Sequence, residues 1–225
     1  MSNQTAGCCE QCGIATNDET ATAPVTDGAG AGEVAVDRWV DAESALSGPL
    51  PVDLAAAASE FYGVGPVETL GDFTDATRTA AGGDIAVADL CHVDGDTPHR
   101  ATAGDETYRF ACFYDGVVLA RLRSGPVDVR TVSPAGEPIE LHLDADGRVE
   151  ASPPDTVMSF GIAPDATTAG ATPTPEEVYG AVCPWVRAFP SRERYEAWAA
   201  GTDAPTVGLA LETGLPVAAA LADGH

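Results

Sequence analysis

Hydrophobic and polar positions divide the chain into a polar start, a stretch with helical spacing and a remainder with strand-like runs. Residues 1–33 are rich in Gly, Ala, Thr and Asp and have almost no large apolar side chain, which predicts a disordered tail. The 225 residues are enough to bury a proper core. We therefore expect a tail over 1–33, a small helical module over 34–83 and a larger core over 84–225.

The helical module is predicted from apolar spacing and from residues that begin and end helices. Proline is tolerated in the first turn of a helix, and Gly63 and Gly65 are suited to ending one. Three stretches result: one with Val36, Trp39, Val40 and Leu46 at roughly helical spacing, one from Pro51 through Tyr62, and one from Pro66 to about Ala80. The module is winged-helix-like in this interpretation.

Short β-branched or alternating runs, separated by Gly, Pro and Asp turns, predict that strands dominate after Asp84. These runs are Ile85–Val87, Thr107–Cys112, Val127–Val132 and Ile139–Leu143.

Two helices interrupt the strand-rich half. One runs from Pro175 to about Ala181 with Thr174 as N-cap, the other from Ser191 to Ala200. The apolar end, residues 208–222, suits a strand followed by a helix. The fold class is therefore α+β: a small N-terminal helical module packed on a mixed, mainly antiparallel β core with peripheral helices.

Composition changes the picture through charge. The formal net charge is −24, and all 11 cationic side chains are arginines. Such a surface repels nucleic acid and anionic membranes, so binding to DNA or RNA is not expected. An acidic chain without lysine is typical of a halophilic protein, because concentrated salt screens the self-repulsion.

The sequence also predicts a cytoplasmic protein. No run approaches the ~20 apolar residues that a membrane span needs, and Met1–Thr5 has neither the basic start nor the apolar stretch of a signal peptide. Six cysteines in an intracellular chain indicate thiols for metal binding or chemistry rather than a disulfide framework.

The candidate chemistry lies in Cys112-Phe113-Tyr114-Asp115 and in Cys183, which is 71 residues further on. Thiolates select soft metals, and a carboxylate between two of them can carry a proton. This combination suits a reaction that breaks a metal–carbon bond. Taken alone the signal is weak, because a cysteine in an apolar run is usually a small core residue.

Neighbouring segments strengthen the signal. Thr97-Pro98-His99-Arg100, then Tyr108 to Asp115, then Val127 to Pro138, and finally Cys183 to Ser191 with Trp198 after it, together resemble the organomercurial (alkylmercury) lyase family. The resemblance covers residues 97–200 well and the helical module loosely. Ala111, Phe113-Tyr114 and Pro184 depart from the residues that are common in the family.

The resemblance implies a mechanism and its participants. Cys112 and Cys183, together with Asp115, would form the site for the mercury of R–Hg⁺. Asp115 would also take a thiol proton and return it to the carbon, releasing R–H and Hg²⁺. No bound cofactor is implied, because mercury arrives as substrate and leaves as product. Thiols or a mercuric reductase would accept Hg²⁺, which makes the role mercury detoxification and resistance.

A second interpretation is a non-catalytic protein that binds and delivers a soft metal, mercury or copper, through the same thiols. Cys8, Cys9 and Cys12 on the tail favour soft-metal handling in either case, since exposed cysteines are otherwise liabilities. A third, a regulatory module fused to a metal-sensing core, needs a basic surface that the chain lacks.

The remaining candidates are interpreted as structural. Cys91 is expected in the core, because adjacent residues of a strand such as Cys91 and His92 point to opposite faces. His99 and Arg100 are expected to fix a turn and His142 to face solvent. Residues 144–147, Asp-Ala-Asp-Gly, predict a hairpin turn.

Overall fold

The helix predicted to begin at Pro51 is present as α1, Val52–Tyr62, in the computed structural model, which describes residues 37–40 and 45–223. Gly63 ends the helix in the left-handed conformation, with φ of 64°, and its N–H donates to Ser59 O at 3.1 Å. The predicted end of this helix is therefore confirmed, because only glycine adopts that conformation without a steric penalty.

The next helix, α2, covers Leu70–Ala80 and begins four residues after the predicted start at Pro66. Thr69 and Asp72 form a capping box: Asp72 N–H donates to Thr69 Oγ1 at 3.1 Å, and Thr69 N–H donates to Asp72 Oδ2 at 2.9 Å. This reciprocal cap satisfies two backbone donors that would otherwise lack partners, and it decides where the helix begins.

The helical interpretation of Trp39 and Val40 is wrong. These two residues form strand β1, which pairs in parallel with β9, Thr206–Ala210, with Trp39 opposite Gly208 and Val40 opposite Leu209. Pairing with a strand from the far end of the chain overrides the local spacing. The described residues do not confirm a winged-helix-like module, and the boundary between 34–83 and 84–225 stays a prediction.

Five antiparallel strands form one sheet in the order β3-β2-β4-β5-β6. They are β2 Arg100–Ala103, β3 Glu106–Arg109, β4 Val127–Val132, β5 Pro138–Leu143 and β6 Val149–Ser152. The strands β4 and β5 alternate buried and exposed positions, as a sheet with one solvated face requires. Both are confirmed predictions, as is the hairpin turn at residues 144–147, where Asp144 Oδ1 accepts from Asp146 N–H at 2.9 Å.

The second sheet has the order β1-β9-β7-β8, with β7 at Val157–Gly161 and β8 at Ala188–Phe189. Except for the β1–β9 pair, its pairings are antiparallel, so the mixed, mainly antiparallel α+β prediction is confirmed. Every residue of β7 is buried. The predicted C-terminal strand and helix correspond to β9 and α6, Leu211–Asp223.

Two strand predictions are wrong. Residues 85–86 are irregular, and Val87–Asp89 form a short 3-10 helix instead of a strand. The strand predicted over Thr107–Cys112 ends at Arg109, and helix α3, Tyr114–Leu122, follows where no helix was expected. The predicted helices α4, Pro175–Val182, and α5, Arg192–Ala199, are confirmed.

One continuous cluster of buried side chains connects these elements. It includes Leu54 of α1, Phe73 of α2, Leu119 of α3 and Val129 of β4. Helix α3 packs on β4 and on α6, so its position is set from two sides. No helix in the described part of the chain is long and apolar enough to cross a membrane.

Gly116 allows α3 to lie close to the five-stranded sheet. A Cβ atom at this position would stand 2.8 Å from Val129 Cγ2 and 3.3 Å from Ala101 Cβ. We expect Gly116→Ala to lower the free energy of unfolding by about 1–3 kcal/mol, because short, branched neighbours cannot move aside. Chemical denaturation measures the change.

The matched control is Gly180→Ala in α4, where a Cβ would meet nothing within 4 Å. Alanine there should stabilise the protein by about 0.4–1 kcal/mol, since it restricts the unfolded chain and favours the helix. Equal effects of the two substitutions would contradict the proposed close packing of α3.

Candidate active site

Cys112 and Asp115 lie where the chain turns from β3 into α3. Cys112 stands in the turn and is 4% exposed, and Asp115 is in the first turn of the helix and partly buried. Ala111 N–H donates to the carbonyl of Cys91 at 2.9 Å, and Gly116 N–H donates to the carbonyl of Phe113 at 3.0 Å. The turn that presents the thiol and the carboxylate is thus held by backbone bonds on both sides.

Cys183 lies at the C-terminal end of α4. Thr174 and Glu177 begin this helix with a capping box, and at its other end Cys183–Trp185 tighten into a 3-10 turn. Pro184 has no N–H to continue the α-helical bonds. Ser159 Oγ of β7 donates to the carbonyl of Trp185 at 2.8 Å, which ties the turn to the second sheet.

The fold brings the three sequence-predicted residues together. The sulfur atoms of Cys112 and Cys183 and one carboxylate oxygen of Asp115 all lie within 4.8 Å of one another. The Cys112 thiol donates to Asp115 Oδ2 at 3.5 Å. Two soft metal ligands and one proton acceptor therefore lie close together in the structure, although 71 residues separate the two cysteines in the sequence.

Burial dominates the electrostatics of Asp115. Loss of water raises the pKa of its carboxyl group from 3.8 to about 6, against the lowering effect of the hydrogen bonds from Cys112 and from the backbone N–H of Cys91. A carboxyl group with a pKa near neutrality can both accept and donate a proton in the same reaction.

The two cysteine thiols are held in their protonated forms. The hydrogen bond with Cys183 lowers the pKa of Cys112, but burial and the nearby Asp115 carboxylate outweigh it, and the net shift is upward. The pKa of Cys183 is raised well above its usual value, because its thiol donates to Cys112 and Cys91 and is itself desolvated. A soft cation arriving at the site would displace these protons.

Cys91 lies beside this site. It is buried at 7% exposure, as predicted for a core residue, and its carbonyl accepts from Ala111 N–H at 2.9 Å, next to Cys112. Its neighbour His92 is exposed and pairs through Nε2 with the carbonyl of Val87 at 2.7 Å. A single β-bridge between His92 and Phe110 holds Cys91 at this position. A pairing of one residue leaves no periodic hydrophobic pattern in the sequence.

An apolar cavity of about 90 Å³ adjoins the reactive group. Cys112, Asp115 and Cys183 contribute to its wall, and Tyr179 of α4 lines it as well. The other walls are mainly aromatic and aliphatic side chains, among them Phe73, Leu90, Tyr114, Val118, Phe160, Val178, Val182 and Leu221. Such a cavity suits an apolar organic group beside the thiols.

A larger groove, about 670 Å³, lies on the solvated face of the five-stranded sheet. Its wall includes Arg100, Asp128, Glu140 and His142 but no cysteine. His142 is exposed, as predicted, and its Nδ1 pairs with Asp128 Oδ1 at 2.7 Å. Arg130 pairs with Glu140, and His142 pairs with Asp128 along this groove, so the smaller, apolar cavity is the better candidate site.

The segment 97–100 supports the turn that carries Cys112. Thr97 Oγ1 donates to the carbonyl of Phe110 at 2.9 Å, and Phe110 N–H donates to the carbonyl of His99 at 3.0 Å. Arg100 donates through Nε to the carbonyl of Thr97 at 3.2 Å and pairs with Asp96. These contacts fix the turn, as the sequence predicted for His99 and Arg100.

His99 should make stability depend on pH. Its ring is buried, and its Nδ1 shares a hydrogen bond of 2.7 Å with Thr131 Oγ1. Burial and the charge of Arg187 lower the pKa of His99 from 6.5 to about 4. Between these pH values only the unfolded chain takes up the proton, so the stability present above pH 6.5 falls by up to about 3 kcal/mol as the pH drops to 4.

Denaturation in concentrated salt at several pH values tests this effect. We expect His99→Gln to remove that part of the decline. The control is His142→Gln. The Asp128 hydrogen bond raises the pKa of His142, so its stabilising effect is lost as the pH rises. This substitution should therefore change the slope of the free energy of unfolding against pH in the sense opposite to His99→Gln. Identical slopes for wild type and His99→Gln would contradict the assignment.

The tail cysteines Cys8, Cys9 and Cys12 lie outside the described residues, and their role stays a prediction.

Comparison with known proteins adds two findings. A family model described as alkylmercury lyase matches residues 94–223, a range that contains Cys112, Asp115 and Cys183. Among solved structures, the crystal structure of the mercury-bound form of MerB2 is similar, with a TM-score of 0.45 and 16% sequence identity over 78% of this chain and 92% of that chain. No curated protein sequence gives a significant match.

Proposed function

The chain belongs to the alkylmercury lyase family, and from that premise we propose that it cleaves the carbon–mercury bond of R–Hg⁺ by protonolysis. The observation that carries the proposal is the group formed by Cys112, Asp115 and Cys183, whose ligand atoms lie within 4.8 Å of one another beside an apolar cavity. The thiols bind the soft metal, the cavity receives the organic group, and the carboxyl group moves the proton.

The first step is capture of the substrate by a thiolate. The Cys112 thiol already donates to Asp115 Oδ2, so its proton passes to that carboxylate as the Hg–S bond forms. The carboxyl group is then neutral, a state that its desolvated surroundings favour. Mercury now carries one sulfur and the organic group R.

The second step adds Cys183 and breaks the carbon–mercury bond. Cys183 gives its thiol proton to solvent and binds as a second thiolate, which places more electron density on mercury and weakens the bond to carbon. The Asp115 carboxyl group gives its proton to the carbon as the Hg–C electron pair leaves with R, so that R–H is released. The balance is R–Hg⁺ plus two thiols giving R–H, one proton and Hg²⁺ held by two thiolates, with no change in oxidation state at sulfur.

Product analysis tests the proposed function. The purified protein, in concentrated salt with excess small thiol, is incubated with phenylmercury or methylmercury, and benzene or methane is measured. Release of hydrocarbon above the rate with thiol alone is the expected result. Stoichiometric mercury binding without hydrocarbon would favour the alternative, a soft-metal binding and delivery protein. Small thiols or a mercuric reductase are the proposed acceptors of Hg²⁺.

A further inference from the structure

The deep part of the apolar cavity has tightly packed aromatic walls. The ring of Phe160 lies 6.3 Å from that of Phe73 and 5.1 Å from that of Tyr114, and all three line the cavity. The three residues are buried, and the Tyr114 hydroxyl donates to the carbonyl of Gly214 in α6 at 2.7 Å. Close-packed side chains of this kind do not move aside freely for a larger guest. The volume of about 90 Å³ is therefore the space that the folded site offers.

This volume limits the organic group that can enter. An apolar cavity of roughly 150 Å³ holds a benzene ring, whereas a cavity of about 90 Å³ receives an alkyl group of a few carbon atoms. The Thr74 hydroxyl in its wall donates to the carbonyl of Leu70 at 2.7 Å. The Thr77 hydroxyl donates to that of Phe73 at 2.8 Å. These donors are already used within the protein, so a polar guest would lose hydration without gaining partners.

The mouth of the cavity lies between α4 and the segment that links α2 to β2. Four lining residues define it: Ile85 and Asp89 of that segment, and Pro175 and Tyr179 of α4. Asp89 is exposed, and the other three are half-buried. The Tyr179 hydroxyl donates to the main-chain carbonyl of Asp89, so a hydrogen bond joins the two sides. The Tyr179 side chain therefore spans the mouth.

Both ends of this hydrogen bond belong to ordered elements. Asp89 N–H donates to the carbonyl of Ala86 at 2.9 Å, and its carboxylate accepts from Ala86 N–H at 2.9 Å. On the other side, the capping box of Thr174 and Glu177 fixes the start of α4. A guest wider than the mouth must therefore break the hydrogen bond of Tyr179 or displace one of these elements.

We propose that the protein prefers short, uncharged alkyl groups on mercury, such as methyl and ethyl, and that Tyr179 disfavours wider groups through its bond to Asp89. This inference rests on the proposed function for the identity of the substrate as R–Hg⁺. A short alkyl group enters the cavity with the mouth closed. An aryl group enters when the Tyr179 hydroxyl releases the Asp89 carbonyl, so its entry requires the loss of that hydrogen bond.

The test compares phenylmercury with methylmercury as substrates of the unsubstituted full chain, Tyr179→Phe and Tyr179→Ala, in concentrated salt with excess small thiol. The measured quantity is the ratio of kcat/KM for phenylmercury to that for methylmercury. The intrinsic reactivities of the two carbon–mercury bonds cancel when this ratio is compared between proteins.

Tyr179→Phe should raise the ratio by about threefold to tenfold, because the ring remains but its hydrogen bond is lost. Tyr179→Ala should raise it by about tenfold or more, because the side chain that narrows the mouth is removed. An unchanged or lower ratio in either folded variant would overturn the proposal. Circular dichroism checks the fold, and Tyr179→Phe carries the test if Tyr179→Ala does not fold.

Tyr108→Phe is the matched control. Tyr108 is also half-buried and its hydroxyl donates to Glu106 at 2.8 Å, but it belongs to β3 and does not line the cavity. The control should have the ratio of the unsubstituted protein. A rise in Tyr108→Phe as large as that in Tyr179→Phe would contradict a role specific to the mouth.

Failure of the lyase activity is distinguishable from failure of this size limit. If the unsubstituted protein releases no hydrocarbon from either substrate, the proposed function fails. The size limit is then measured by the partition of phenylmercury and methylmercury between the protein and a small monothiol. For this assay every protein carries Cys8→Ser, Cys9→Ser and Cys12→Ser, so that the tail thiols do not bind. Tyr179→Phe and Tyr179→Ala should again favour phenylmercury, and an unchanged preference would overturn the proposal.

Discussion

Replacing Asp115 by Asn is expected to lower the rate of hydrocarbon release by about 10²–10⁴-fold, the usual contribution of a general acid. Asparagine keeps the size of the side chain and an oxygen that can accept the Cys112 thiol hydrogen bond. It cannot take up a thiol proton and return it to carbon. The measurement is single-turnover release of benzene from phenylmercury, with mercury binding followed in the same sample.

Mercury binding by Asp115→Asn should equal that of the unsubstituted protein, since both thiols are intact. Asp105→Asn removes the same charge from an exposed turn between β2 and β3 and serves as the control. A wild-type rate in Asp115→Asn would exclude Asp115 as the proton carrier and leave the proton source to solvent or to a thiol.

The same substitution should stabilise the fold at pH 8. The pKa of Asp115 is raised in the folded state, so its penalty is absent below pH 3.8, grows as the pH rises through about 6 and stays constant above that. Removing the charge from a partly buried site should raise the free energy of unfolding by about 1–2 kcal/mol. A variant that is more stable but less active would show that the Asp115 carboxylate lowers the stability of the fold and is retained for its role in catalysis.

Substitution of either thiol by serine, Cys112→Ser or Cys183→Ser, is expected to lower hydrocarbon release by at least about 10³-fold, as for groups that act as a unit. A hydroxyl oxygen is a hard ligand and does not replace thiolate on mercury. With one sulfur remaining, the metal–carbon bond is not weakened by a second thiolate.

The double variant provides the check on this reasoning. If the two sulfurs act together on one metal, Cys112→Ser with Cys183→Ser should be no slower than either single variant. Additive losses would indicate that the thiols act at different steps or on different metal ions. A single variant with wild-type activity would remove that cysteine from the mechanism.

The sequence predicts those elements whose cause is local. Alternation in β4 and β5, the caps at Thr174 and Ser191, and the left-handed Gly63 each depend on a few neighbouring residues. The three candidate site residues are also predicted from the sequence, because the segments that carry them resemble a known family.

The elements that the sequence does not predict depend on distant partners. β1 is a two-residue strand that exists through its pairing with β9, and α3 follows a short apolar run in which strand and helix cannot be told apart. Cys91 lies beside Ala111 through a single bridge between His92 and Phe110. In each case, contacts between remote segments decide what spacing along the chain leaves open.

The separation of Cys112 and Cys183 along the chain has a consequence for folding. In the proposed product complex Hg²⁺ bridges the two cysteines, and the metal then closes a loop of 71 residues as a reversible cross-link across the core. A cross-link of that span removes loop entropy from the unfolded chain worth about 4 kcal/mol. The product-loaded protein should therefore melt at a higher temperature than the free protein, and each release of mercury returns the chain to its less stable form.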